Sequence, residues 1–296
     1  MSVQPAYRGR FAPSPTGPLH FGSLVAAVGS YADALAHQGS WLLRIEDVDE
    51  GRRVKGAADS ILRTLETLGF QWQGEVLHQS RRKARYQEIL DRLLARGLAY
   101  PCGCTRREVE AVGRRGAEGW IYPGTCRQGM PPGRRERAVR LRVPAATVRF
   151  VDRLFGAQCQ ELEREVGDFV IRRADGFFAY QLAVVVDDLD QGVTDVVRGA
   201  DLLHSTPRQI HLQRLLGAPT PRYLHLPLVL DENGRKLSKR DLAHPLDPGR
   251  PLEALLAAWR FLGQPPPEEP MKDVKTFWAW AALNWNPQRI RREGAR

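Results

Sequence analysis

An α/β fold built on a doubly wound, Rossmann-like parallel sheet is the class this sequence predicts, and three features carry the prediction. A strand, a helix and a second strand follow one another over residues 7–45, and short apolar runs recur near residues 194 and 224. That order closes a parallel crossover, the seed of a nucleotide-binding sheet. Between the two halves lies a Gly-, Pro- and Arg-rich stretch holding three of the four cysteines, and two short helical patterns end the chain. The full expectation is therefore a parallel sheet with an inserted cysteine-bearing lobe and a short helical C-terminal extension.

The elements follow in order. Tyr7 to Ala12 reads as a first strand, ended by Pro13 and Pro15, which lack the N–H a ladder needs. Gly22 to His37 reads as a helix with Leu24, Val25, Val28, Tyr31, Ala32 and Leu35 on one face and Gly39 as its stop. Trp41 to Ile45 is a second apolar strand. Helices are expected over 56–68 and 81–96, stopped by Gly69 and Gly97. Tyr100 to Arg137 changes composition and reads as an inserted lobe rather than sheet. Alternation resumes over Ala138–Val143 and Thr147–Leu154. Phe169–Arg173, the turn Ala174-Asp175-Gly176 and Phe177–Tyr180 form a hairpin pattern entering a helix. Thr194–Arg198 and Leu224–Leu230 supply further buried strands. Pro245–Pro251 is a linker before helices over 252–262 and 275–286. The tryptophans 278, 280 and 285 have near-helical spacing and suit packing against the main domain better than stacking on bases. The expected division is 1–99 and 138–240 as two halves of one catalytic domain, 100–137 as the insertion, and 241–296 as the extension.

The 296 residues, 43% of them hydrophobic, suffice for one such domain with a small appendage. Lys and Arg number 44 against 34 Asp and Glu. A positive balance of that size fits a polyanionic partner such as RNA, and equally a surface that simply carries many arginines. Four cysteines in a chain this long are not a disulfide framework. Residues 1–9 are polar, so no secretory leader is expected, and no stretch approaches the ~20 apolar residues of a membrane span. A cytoplasmic monomer is the expectation.

Two motifs bear on chemistry. In Arg10-Phe11-Ala12-Pro13-Ser14-Pro15-Thr16-Gly17-Pro18-Leu19-His20-Phe21-Gly22-Ser23-Leu24, a strand hands over to a helix through a Pro/Gly turn. Gly22 lets a phosphate or an adenine ring approach the backbone, the helix start offers free N–H groups and a positive dipole end, and His20 can donate to phosphate oxygens. The second run, Lys236-Leu237-Ser238-Lys239-Arg240, follows an apolar strand and the turn Asp231-Glu232-Asn233-Gly234. Alone it is an ordinary basic turn. Paired with the first run it suits acyl-adenylate formation, in which a carboxylate attacks the α-phosphorus and charge builds on pyrophosphate.

These runs resemble the two signatures of the class I aminoacyl-tRNA synthetases, the first in its glutamyl/glutaminyl form. The resemblance implies ATP binding by His20, Gly22, Lys236, Ser238 and Lys239, with Mg accompanying ATP. It gives catalytic roles to His20, Lys236 and Lys239. The runs RFAPSPTG, LLRIEDVD, FFAYQLAVVVDD and DVVRGADLLHSTPRQ resemble the glutamyl-type catalytic domain in order. By that match Arg10, Ala12, Ser14, Glu46, Tyr180 and Arg198 would line an L-glutamate site. The residue types suit it, since guanidinium groups clamp carboxylates and an acid holds an ammonium. Asp187 and Asp188 are structural or ATP-side residues, which the sequence does not separate. Where that type carries an acidic residue, this chain has Ala200.

Cys102, Cys104 and Cys126 are three potential thiolate ligands in a stretch with little core of its own. A tetrahedral zinc would give such a lobe its fold, and three buried free thiols are the alternative. No His lies between residues 79 and 203. The run Ile121-Tyr122-Pro123-Gly124-Thr125-Cys126 resembles a form of this lobe with tyrosine as fourth ligand, which nominates Tyr122 for one structural zinc. Cys159 reads as an ordinary strand residue.

Only 56 residues follow Arg240, too few for the anticodon-binding region of a glutamyl-tRNA synthetase. The pattern over 7–240 resembles the glutamyl-Q tRNA(Asp) synthetase family, glutamyl-type catalytic domains without that region. The resemblance implies tRNA-independent activation of glutamate and its transfer to the queuosine base at the wobble position of tRNA(Asp). The partners are then glutamate, ATP and a queuosine-bearing anticodon loop, whose splayed bases are accessible. Two other readings stand beside it: a truncated synthetase charging the tRNA 3′ end, and a non-catalytic RNA-binding paralogue.

Overall fold

The structure is a computed structural model that describes residues 6–116, 119–230 and 246–292. Strand β1 (Arg8–Phe11) leads through the Pro/Gly turn to helix α1 (Phe21–Ala36) and back to β2 (Ser40–Ile45), which pairs parallel with β1. Gly39 is required there, because a Cβ would lie 2.6 Å from the Tyr7 carbonyl oxygen. Helix α2 (Ala57–Thr67) precedes a two-residue strand β3 (Leu77–His78), parallel to β2, and helix α3 (Lys83–Ala95) follows.

The next segment differs from the sequence expectation. It opens as strand β4 (Ala99–Cys102), passes through α4 (Arg106–Val112) and the hairpin β5 (Arg114–Gly116)–β6 (Gly119–Ile121), and returns as β7 (Ala138–Leu141), antiparallel to β4. Gly- and Pro-rich composition hid the short hairpin β5–β6 and strand β4, whose ladder partner β7 begins at Ala138, whereas β7 itself falls in the alternating stretch expected over Ala138–Val143. Strands β8 (Thr147–Asp152) and β9 (Gly156–Glu161) form a hairpin, and α5 (Leu162–Glu165) leads to β10 (Phe169–Arg172), which completes the β10-β7-β4 sheet.

Helix α6 (Tyr180–Asp190), β11 (Asp195–Gly199), α7 (Thr206–Leu216) and β12 (Arg222–Leu226) build the rest of the parallel layer, with β12 parallel to both β11 and β8. The expected strand to Leu230 stops at Leu226: Pro227 cannot donate to the ladder, and Leu230 is exposed. Strand β1 lies against β11, where the Thr194 N–H donates to the Arg8 carbonyl at 2.9 Å. The resulting succession is β3-β2-β1 beside β11-β12-β8-β9.

Alternation sorts this layer's side chains onto two cores. Val197, Leu224 and Leu226 join α1, α8 (Pro251–Phe261) and α9 (Val274–Asn284) on one face. Val196 and Tyr223 join α3, α6 and α7 on the other. Helix α1 sits between sheet and C-terminal helices, and Gly29 makes that fit, since a Cβ would meet Leu226 Cδ1 at 2.5 Å. The tryptophans pack inward, as their spacing suggests: Trp278 Nε1 donates to the Leu68 carbonyl at 2.8 Å and Trp285 Nε1 to Asp33 at 2.9 Å. No helix among the described residues is long and apolar enough to cross a membrane.

Candidate active site

The carboxyl ends of β1, β2, β11 and β12 open on one cleft of about 860 Å³. It lies where β1 meets β11, the place at which chain direction around an open parallel sheet diverges and ligands bind. Its lining includes Arg10, Ala12, Ser14, His20, Gly22, Glu46, Tyr180 and Arg198, so eight site residues read from the sequence surround one space. Lys236, Ser238 and Lys239 lie outside the described residues.

One wall is the start of α1. His20 precedes the helix in extended conformation, and no acidic residue occupies the first turn, so the positive end of the helix faces the cleft without neutralisation. Ser23 Oγ lies 3.0 Å from His20 Nε2. A Cβ at Gly22 would lie 3.1 Å from the His20 ring, so glycine keeps that approach open.

The floor is a stack of alternating charges. Asp188 on α6 accepts from Arg10 Nε at 3.2 Å and from Arg44 Nη2 at 2.6 Å. Arg44, fully buried, also lies 3.6 Å from Glu46 Oε1. Burial pushes the Asp188 carboxyl up, yet Arg10 and Arg44 hold it below its ordinary value. Glu46 has the opposite balance. Its burial outweighs Arg44 and Arg10, raising its pKa to about 7, and its Oε1 has no hydrogen-bond partner among the described residues. Tyr180, half-buried beside it, is pushed up to about 12, first by burial and then by Glu46.

Asp187 faces elsewhere. It accepts from Tyr86, Gln79 and Arg82, tying α6 to α3. The structure thus separates the two adjacent aspartates: Asp188 supports the cleft and Asp187 braces a helix pair.

Across the cleft, Arg198 on β11 is 6% exposed. Its Nη2 donates to Thr206 Oγ1 at 2.9 Å and its Nε to His225 Nε2 at 3.1 Å, while Nη1 is buried with no hydrogen-bond partner among the described residues. Ala200 is buried in the short 3-10 turn that follows β11, and the acid that lines the cleft here is Asp201. Gly199 gives Asp201 room, because a Cβ would come within 2.6 Å of its carboxylate. The cleft therefore joins a buried acid whose Oε1 accepts no hydrogen bond among the described residues, two guanidinium groups and a helix N-terminus.

Sequence reading missed Arg44, Thr206, His225 and Asp152. Arg44 and Thr206 lie within the runs LLRIEDVD and DVVRGADLLHSTPRQ but carry no role there, and only tertiary packing brings the four to the charged groups of the cleft.

Away from the cleft, the thiol sulfurs of Cys102, Cys104 and Cys126 lie within 4.8 Å of one another, all buried. Tyr122 Oη is 3.4 Å from Cys102 Sγ and 3.5 Å from Cys104 Sγ, and Cys104 and Cys126 sulfurs are 3.6 Å apart. The Cys126 N–H donates to the same tyrosine oxygen at 2.8 Å. Four donors spaced like this suit a tetrahedral ion with metal–sulfur bonds of about 2.3 Å. Cys159 is exposed on β9, apart from them.

Residues 6–269 match the family described as tRNA synthetases class I (E and Q), catalytic domain. A protein of Geobacter sulfurreducens named glutamyl-Q tRNA(Asp) synthetase is 58% identical over 296 residues, covering 97% of this chain and 94% of its own length. One of Aromatoleum aromaticum with the same name is 56% identical, covering 95% of this chain and 90% of its own. Among solved structures, a glutamate tRNA ligase from Elizabethkingia meningosepticum in complex with its amino acid superposes with TM-score 0.80 at 25% identity. That match covers 98% of this chain, which spans 66% of the ligase chain.

Proposed function

The chain belongs to the class I tRNA synthetases of the glutamyl and glutaminyl type and is a ligase of that family, and from that premise we propose that it activates L-glutamate with ATP and passes the glutamyl group to queuosine in tRNA(Asp). The observation that carries the proposal is the cleft's charge complement. Among the described residues, Glu46 offers a buried carboxylate oxygen without a hydrogen-bond partner, suited to an ammonium, and Arg198 offers a buried N–H without one, suited to a carboxylate. With Arg10 this matches an amino acid that carries a second acid.

In the first step a glutamate carboxylate oxygen attacks the α-phosphorus of ATP. A phosphorus–oxygen bond forms, the bond to the β-phosphate bridge breaks, and pyrophosphate leaves. The N-terminus of α1 and His20 stabilise the triphosphate charge in this reading, and by the family resemblance Lys236, Ser238 and Lys239 would serve the phosphates of ATP, with Mg accompanying ATP. Tyr180, Ala12 and Ser14 shape the pocket around the amino acid. In the second step a hydroxyl of the queuosine cyclopentene ring attacks the adenylate carbonyl, AMP departs, and its phosphate takes the hydroxyl proton. The names of the relatives at 50–58% identity support this acceptor. One structural zinc held by Cys102, Cys104, Tyr122 and Cys126 completes the reading and takes no part in either step.

Labelled glutamate, ATP and tRNA(Asp) with or without queuosine test it. Acceptance is expected only with queuosine, and nuclease mapping should place the label in the anticodon loop. Label on the 3′-terminal adenosine would instead establish a tRNA-charging synthetase.

A further inference from the structure

Arg198 is held by a chain of side chains that crosses three strands. Its register partner on β12 is His225, which is wholly buried. A guanidinium has donors only, so the His225 Nε2 that receives Arg198 Nε at 3.1 Å must be the acceptor nitrogen. The ring proton then sits on Nδ1, which donates to Asp152 Oδ2 at 2.7 Å.

Asp152, at the end of β8, is equally fixed. The His225 N–H reaches the same Oδ2 at 3.1 Å, and Oδ1 accepts from the Leu154 and Phe155 N–H groups at 2.9 Å each. Despite burial, the His225 contact holds the Asp152 carboxyl below its ordinary value, and burial lowers His225 to about 4, so the pair is carboxylate and neutral imidazole. The second anchor is Thr206, whose hydroxyl accepts from Arg198 Nη2 at 2.9 Å and can donate to the Leu202 carbonyl at 3.2 Å.

We infer that Asp152 and His225 are positioning residues for substrate binding: they fix the imidazole tautomer that, with Thr206, clamps the Arg198 guanidinium so that Nη1 faces an incoming carboxylate. The inference rests on the assignment of Arg198 to glutamate above. A free arginine side chain samples many rotamers, and a clamp on two of its nitrogens removes that entropy loss from the binding step.

Glutamate-dependent ATP–pyrophosphate exchange in the full chain tests it, with Arg198→Lys, His225→Leu, His225→Gln and Thr206→Val. His225→Leu removes the acceptor at similar volume and should raise the glutamate KM on the order of 10–100-fold. The ATP KM should stay within about twofold if ATP does not use the clamp. His225→Gln, whose amide oxygen can replace Nε2, should recover most of the loss. Thr206→Val leaves the Asp152–His225 pair intact and should also raise the glutamate KM, so it decides the matter should His225→Leu fail to fold.

If Arg198→Lys weakens glutamate while the His225 and Thr206 variants leave its KM unchanged, the positioning role is refuted and the glutamate site stands. A fall in melting temperature and kcat alone, with both KM values unchanged, marks a purely structural pair and equally refutes it. If Arg198→Lys itself leaves the glutamate KM unchanged, Arg198 does not bind the amino acid, and both readings fall.

Discussion

Glu46 shows how one residue's chemistry is set by what is stacked beneath it. Its side chain is 8% exposed, and Asp188 draws on both Arg10 and Arg44, so their charge is shared between two carboxylates. Burial therefore prevails and the free carboxyl titrates near pH 7. A substrate ammonium needs the ionised form. The glutamate KM should thus rise as pH falls below about 7, by up to tenfold per unit, and Glu46→Gln should bind weakly with no such slope. Steady-state KM from pH 5.5 to 8.5 checks this; a flat wild-type profile would remove Glu46 from the ammonium site. The sign for stability follows by linkage. The folded value lies above the unfolded one, so the unfolded chain releases this proton first. Ionising Glu46 then subtracts from stability as pH rises from about 4.5 to 7. The sequence singled out Glu46 by its place after an apolar strand. It could not separate Asp187 from Asp188, because consecutive helical residues point about 100° apart and only packing decides which faces the cleft.

At the scale of elements, the cysteine-bearing segment needs something beyond its own apolar contacts. Its small core consists of Tyr100, Val109, Tyr122 and the three cysteines, and Arg140 lies over the Tyr122 ring at 3.7 Å. A zinc bound by four donors would supply the missing free energy. Purified protein should contain about one zinc per chain, and Cys126→Ala should lose it. Hydrogen exchange should then quicken over residues 100–137 while the cleft strands keep their protection. A wild type without zinc would leave three buried thiols as the correct reading. The cysteine spacing and the alternation of β7 were legible, but β4 was not, since it owes its conformation to β7 rather than to local propensity.

The whole molecule is joined through Asp33 on α1. This fully buried carboxylate accepts from Tyr7 at the chain's start, two nitrogens of Arg153 after β8, and Trp285 after α9. Burial raises its carboxyl, but Arg153, Tyr7 and Trp285 together hold it below the ordinary value. Trp285→Phe deletes one donor and keeps most of the ring. It should cost about 1–2 kcal/mol and lower the melting temperature by roughly 2–5 °C. An unchanged melting curve would show that the C-terminal helices dock without this bond.

What the sequence alone determined is the chemistry that can be written locally: the strand–turn–helix of 10–24, the acid after the strand ending at Ile45, and the cysteine spacing. Each depends on neighbours a few residues apart, where propensity and periodicity act. What only the tertiary structure decided is how the charged groups are paired. Asp188 sits between two arginines, and Asp152 reaches Arg198 through His225, because parallel strands distant in sequence lie side by side. Buried charges must find partners wherever the fold brings them, so register across the sheet settled what no local pattern could carry.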